Sequence, residues 1–222
     1  MRINNWVTVG AVLALAALGA PTPAGAGPVT FSVTVDTSNL NGAFTLDYQL
    51  VNGSGNPAGN NSLTISQLAL TGGSLVPPTT LNGNPVPGDI TSRTGISFTD
   101  NGFLGDLQQP ISLTGSPSSV SFQVGLTTNV NTGPAASPDE FTFAILDAGG
   151  SEIPTTDSNG NDAFVDVVIA SSNPSIEAFG SVDGTVPAPA IIASVPVPEP
   201  AGLMLAALVT PAAAYYCWRR RP

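Results

Sequence analysis

Apolar and polar residues alternate one for one along much of the middle of the chain. Phe31, Val33 and Val35 alternate with Ser32, Thr34 and Asp36, and Phe44, Leu46, Tyr48 and Leu50 with Thr45, Asp47 and Gln49. The same pattern recurs at Val120 to Leu126, at Phe141, Phe143 and Ile145, and at Val165, Val167 and Ile169. A period of two marks strands with one face buried. Between Ile65 and Leu68 the alternation slips by one, which predicts a bulge or a break between strands. No stretch of the middle has a helical period. Asn41-Gly42, Asn52-Gly53, Asn82-Gly83, Asn101-Gly102 and Asp183-Gly184 punctuate the strands as turns. The expectation is an all-β fold, an antiparallel two-sheet sandwich of jelly-roll or immunoglobulin-like kind with about eight to ten strands. Residues 52 to 62 and 77 to 89, rich in Gly, Asn and Pro, are expected to be long surface loops.

The pattern changes at both ends. Residues 1 to 26 carry Arg2, an apolar run from Val7 to Leu18, and the small-residue sequence Ala24-Gly25-Ala26. This is the pattern of a secretory signal peptide, cut after Ala26 by signal peptidase, with Ala24 and Ala26 as the residues that peptidase reads. A second apolar run, 201 to 218, is long enough for a single transmembrane helix and is followed by Arg219, Arg220 and Arg221. Positive charge stays on the cytoplasmic side, so these arginines orient the C-terminus inward and everything before Ala201 outward. The expected organisation is a signal peptide over 1–26, a β-sandwich domain over 27–183, a Pro-rich linker over 184–197, and a C-terminal tail over 198–222. Alternate prolines in the linker make it a semi-rigid stalk.

Immediately before the C-terminal apolar run stand Pro198, Glu199 and Pro200. Pro-Glu-Pro, a short apolar helix and a terminal Arg cluster, in that order, resemble the PEP-CTERM sorting signal. The resemblance covers about the last 25 residues. It implies that Pro198, Glu199 and Pro200 are the recognition motif and that Arg219, Arg220 and Arg221 are the stop signal. It also implies an exosortase-like membrane peptidase as partner, in a bacterium that makes exopolysaccharide. Physically, two prolines flanking Glu199 hold the backbone extended and present the carboxylate without helical continuation, a shape suited to a protease groove. Val35-Asp36-Thr37-Ser38-Asn39-Leu40 and Leu146-Asp147-Ala148-Gly149-Gly150 also resemble stretches of one subgroup of small PEP-CTERM proteins of unassigned activity.

Composition narrows the chemistry. The chain has 15 acidic and 5 basic side chains, no His and one Cys among 222 residues. Without His, Ser-His-Asp and Cys-His machinery and imidazole metal ligands are excluded. Net charge of -10 repels a phosphate backbone, so nucleic acid is not a partner. Cys217 lies at the far end of the tail, so the exported portion forms no internal disulfide. Between the two ends Arg93 is the one base against 14 acids.

Three constellations could carry chemistry. Asp157, Asn159 and Asn161, followed by Asp162, place oxygen ligands at alternate positions and begin like a calcium loop. The run then departs from it, with Gly160 at the fourth place and Val168 where the closing Glu belongs. A calcium site of another type remains, with Asp147 or Asp166 as helpers; otherwise no cofactor is expected. Asp139-Glu140 is the one adjacent acidic pair, read as a solvated strand start rather than half of a glycosidase pair. For sugar stacking the exported portion retains Tyr48 and Phe residues, and Tyr48 shares the apolar face of its strand. Arg93 is read as a partner for an acid. The sequence thus predicts an exported, non-enzymatic surface or extracellular-matrix protein. It begins as an inner-membrane-anchored precursor held by its C-terminal helix and ends at the cell surface or outside, with exopolysaccharide as a candidate partner. The alternative is a calcium-dependent carbohydrate-binding module of the matrix.

Overall fold

A computed structural model describes residues 28–53, 60–83, 85–131, 136–171 and 173–194. The alternating segments form strands, and the strands form two antiparallel sheets packed over one core. The five-stranded sheet has the order β12-β1-β8-β3-β6, from β1 (Val29–Asp36), β3 (Ser62–Thr71), β6 (Ile96–Thr99), β8 (Ser119–Leu126) and β12 (Ala190–Ser194). The other has the order β11-β10-β9-β2-β7-β4, from β2 (Asn41–Val51), β4 (Gly73–Leu75), β7 (Leu104–Thr114), β9 (Asp139–Leu146), β10 (Val165–Ile169) and β11 (Ser175–Ala178). The short β5 (Thr80–Asn82) pairs with β7 beyond the end of β4. The twelve strands among the described residues exceed the number expected. The extra ones are short edge pieces whose period is too brief to read.

The strands read from alternation are β1, β2, β8, β9 and β10, and local chemistry accounts for the others. β7 carries Pro110 in its middle, a residue that argues against a central strand because it has no N–H for the ladder. Here Pro110 falls where the outer partner changes, since β4 pairs as far as Ile111 and β5 begins at Gln108. Its carbonyl instead accepts from Val76 N at 2.9 Å. The slip near Ile65 is a real bulge: the register of β3 against β8 shifts between Ser66 and Ala69, and Gln67 sits at φ 54°. Its backbone N–H turns outward to Ser92 O at 2.9 Å. Asn41-Gly42 is not a turn but the first pair of β2; the chain reverses at Thr37 to Leu40, closed by Leu40 N to Thr37 O at 2.8 Å.

The segment expected to be a stalk from 184 is partly sandwich. Val186 is fully buried in the core, and Ala190–Ser194 forms edge strand β12 against β1. Ala190-Ile191-Ile192-Ala193-Ser194 is free of proline and has two β-branched residues, and the prolines before it are tolerated at a sheet edge. The register sets Thr30 opposite Ser194, so the chain enters and leaves the described sandwich at the same end of one sheet.

At the centre of the core Tyr48 and Phe143 on one sheet meet Phe122 on the other, with ring centroids 4.8 to 5.1 Å apart. Tyr48 meets Phe122 edge-on at 89°, a favoured aromatic geometry. The Tyr48 hydroxyl is buried and has no hydrogen-bond partner. Because an unmade buried hydrogen bond costs about 1–3 kcal/mol, Tyr48→Phe is expected to raise stability by about 1 kcal/mol. A urea midpoint that moves up checks this, and one that moves down contradicts it.

Candidate functional site

The face of the seven-stranded sheet turned away from the core is where polar chemistry collects. Leu46, Tyr48, Leu107 and Phe141 point inward, so their neighbours along each strand point outward. Pairing aligns Asp106, Gln49, Thr142, Asp166 and Glu177 in a row across β7, β2, β9, β10 and β11. Asp47 and Glu140 flank this row on their strands. Two pairs of acids result.

The first pair is Asp47 with Asp106. Both are buried, at 2% and 8% exposure. Gln49 Nε2 donates to Asp47 Oδ2 at 2.7 Å, and Asn82 Nδ2 to Asp106 Oδ2 at 3.3 Å. Burial first, and then the hydrogen bond and charge of Asp106, push the Asp47 carboxyl up to about 7. A like charge beside a buried carboxyl disfavours its ionisation.

The second group joins Glu140 and Asp166 to the loop between β9 and β10. Asn159 Nδ2 donates to Asp166 Oδ2 at 3.1 Å, and Asn161 Nδ2 donates to Glu140 Oε1 at 2.8 Å. Asn159 N donates to Asp157 Oδ1 at 2.8 Å, an Asx turn that shapes the loop. These bonds tie the loop to the outer face of the sheet, where Thr142 and Asp166 are buried and Glu140 and Val168 half-buried. Burial, followed by the charge of Asp166, raises Glu140 to about 7; Asp166 is raised as well, chiefly by burial.

Of the four residues read as a metal loop, Asp157, Asn159 and Asn161 come together with Asp166 and Glu140. Asp162 does not join them. At φ 47° its side chain turns back to accept from Thr155 N at 3.1 Å. Asp147 also serves a turn, accepting from Gly149 N at 2.8 Å and Ser151 N at 3.0 Å. Sequence reasoning missed Glu140 as a member of this group. The signal was present, since Glu140 and Asp166 both occupy outward positions of neighbouring strands, but strand order was needed to see it.

Asp139, read with Glu140 as a solvated strand start, is instead 1% exposed. Its carboxylate accepts from Gly53 N at 2.7 Å, Asn131 Nδ2 at 2.7 Å and Asn61 Nδ2 at 2.5 Å. Asn61 in turn bonds Asn129 through both side-chain atoms, tying the loop after β8 to the start of β3. This knot closes one end of the sandwich and binds its own chain rather than a ligand. Arg93 stands exposed on the loop between β5 and β6.

These groups set the pH response. Asp47 and Glu140 hold their protons to about pH 7 when folded, whereas in the unfolded chain they lose them near the ordinary carboxylate values. Between those limits the folded state binds more protons, so stability falls as pH rises from about 4 through 7 and levels off above it. In the other direction, hydrogen bonds from Ser38, Thr91 and Thr185 hold Asp36, Asp89 and Asp183 below the ordinary value, a contribution lost as pH falls through that range. The melting temperature is therefore expected to be higher near pH 5 than near pH 8 by several degrees, and the difference should shrink in Asp47→Asn. A flat profile between those values contradicts the account.

Ala24 and Ala26, Pro198, Glu199 and Pro200, the helix expected over 201–218, and Arg219, Arg220 and Arg221 all lie outside the described residues. Among the described residues no helix is long and apolar enough to cross a membrane. No family model, no curated protein and no solved structure matches this chain.

Proposed function

We propose that the protein is an exported, non-enzymatic component of the cell surface or extracellular matrix, delivered as a membrane-held precursor and sorted through its C-terminal tail. The observation that carries the reading is the tail itself. Pro198-Glu199-Pro200, an apolar run and Arg219-Arg220-Arg221 occur in that order after a domain with a single base. The fold supports it. With Thr30 opposite Ser194, the first and last described strands begin and end at the same end of one sheet, and Pro198 follows Ser194 by four positions. An extended chain covers at most about 3.3–3.6 Å per residue, so the sorting enzyme works within roughly 15 Å of a folded sheet edge.

The finer architecture belongs to the same reading. The orders β1-β8-β3-β6 and β2-β7-β4, with β5 beside β7, follow a jelly roll, extended by β9 to β11 on one sheet and by β12 on the other. Jelly rolls include lectin domains, which keeps a calcium-dependent carbohydrate-binding module as the second reading, on fold analogy and the acidic outer face. Tyr48, buried in the core, is no stacking platform.

The sorting reading is tested by grafting residues 195–222 onto an unrelated exported protein in the native host. The graft is expected to leave the membrane fraction and reach the surface or medium, and a graft with Arg219, Arg220 and Arg221 replaced by Ala is expected to be missorted. A graft that stays in the membrane, unprocessed, sinks the proposal.

A further inference from the structure

We propose that Asp157, Asp166 and Glu140, completed by the side-chain oxygens of Asn159 and Asn161, form a binding site for a hard divalent cation, calcium before magnesium, on the outer face of the seven-stranded sheet. The proposal does not depend on how the tail is sorted.

One buried atom points to a missing ligand. Asp157 Oδ2, in a residue only 9% exposed, is shielded from solvent and accepts no hydrogen bond, and Asp166, 3% exposed, has the carboxyl of Glu140 rather than a base as its neighbour. A buried carboxylate oxygen without a partner costs stability, and a cation is the partner it most favours. No base is at hand to supply that charge. The one base among the described residues, Arg93, is exposed between β5 and β6, whereas this group is built on β9, β10 and the loop joining them.

The donor set fits calcium, which takes six to eight oxygens from carboxylates, amide carbonyls and water. Among the described residues no three His, Cys, Asp or Glu side chains are grouped to hold a metal by themselves, so the amides have to contribute. They are poised to do so. Asn159 and Asn161 now aim their amide nitrogens at Asp166 and Glu140, the orientation that offsets bare negative charge. Turning each amide over presents Oδ1 instead, and an arriving cation favours that turn. Glu140 is half-buried and held by Asn161, while Asp157 and Asp166 are fixed by Asn159 N and by the ladder of β10. Calcium accepts a soft shell completed by water; magnesium demands a near-ideal octahedron that this loop and sheet do not offer.

The test uses the full-length chain in detergent near pH 8, stripped with EDTA and then titrated with calcium chloride or magnesium chloride. Expected are saturable binding of one calcium by calorimetry, a rise in melting temperature with calcium, and a much smaller response to magnesium. Asp157→Asn and Asp166→Asn, near-isosteric changes whose strand signal is checked by circular dichroism, should abolish the calcium response. Asn161→Ala, at an exposed position that leaves every carboxylate in place, should weaken binding several-fold without loss of fold. Asp47→Asn, on the neighbouring acid pair, should leave calcium binding unchanged. No saturable binding at millimolar calcium overturns the site. So does an equal loss of response in Asp47→Asn and Asp166→Asn, which would mark a diffuse effect of negative charge.

Discussion

Asp139→Ala is expected to destabilise the domain by about 3–5 kcal/mol, because it removes the acceptor at the centre of a buried network. Three donors converge on this carboxylate, from Gly53 on the loop after β2, from Asn61 at the start of β3 and from Asn131 on the loop after β8. Hydrogen bonds to a charged acceptor are the stronger kind, and a donor left behind without water costs more than the bond contributed. Gly53 makes the knot unforgiving: a Cβ there would lie 2.2 Å from Ser137 O, so the backbone can approach only as glycine. Asp139→Asn keeps the shape but turns a donor toward donors, and is expected to lose nearly as much as alanine. Against a total stability of about 5–15 kcal/mol, either change is large. Urea unfolding of both variants measures it, and a loss under about 1 kcal/mol contradicts the role given to the network.

Phe143→Ala is expected to cost a similar amount, about 3–5 kcal/mol. Phe143 is fully buried and lies 4.8 Å from Phe122 and 5.1 Å from Tyr48, so it joins the two sheets at the middle of the core. Truncation there removes apolar transfer energy and leaves a void that β-sheet walls on both sides cannot close. Phe103→Ala is the internal control, since Phe103 is 79% exposed and its loss should change stability little. Equal effects at the two positions would falsify the description of the core.

The long strands were legible because their period is simple and their inward residues are large. Phe31, Tyr48, Phe122 and Phe143 all sit where alternation put them. What the alternation hid were strands whose signal is cut by proline, such as β7 at Pro110, or too short to repeat, such as β5 and β12. β12 reads as stalk in the sequence because prolines on either side outweigh five residues of strand. The candidate site was half legible. Asp157, Asn159 and Asn161 stand together in sequence and are read as a loop with cation chemistry, with Asp166 as one of two candidate helpers, but Glu140, which joins them, lies on a neighbouring strand. Asp162 was misplaced because one positive φ turns its side chain away, and no pattern in Asp-Ser-Asn-Gly-Asn-Asp signals that. Asp139 and Glu140, adjacent in sequence, have opposite fates because successive strand residues face opposite sides.

The described sandwich runs one strand further than the sequence implies, and this bears on the tail proposed for sorting. With β12 paired to β1, only residues 195–197 separate the sheet from Pro198. On the sorting proposed above, a peptidase acting at Pro198-Glu199-Pro200 works only a few residues in sequence from the last described strand.

Intact mass of the protein recovered from membrane and extracellular fractions of its native host, beside a copy with Pro198, Glu199 and Pro200 all changed to Ala, tests the central claim most directly. The account predicts a wild-type product outside the membrane that has lost residues 1–26 and the apolar tail, and a variant that keeps its tail in the membrane. Wild type and variant alike retaining the tail after loss of the signal peptide would contradict it, and the C-terminal run would then be an ordinary anchor.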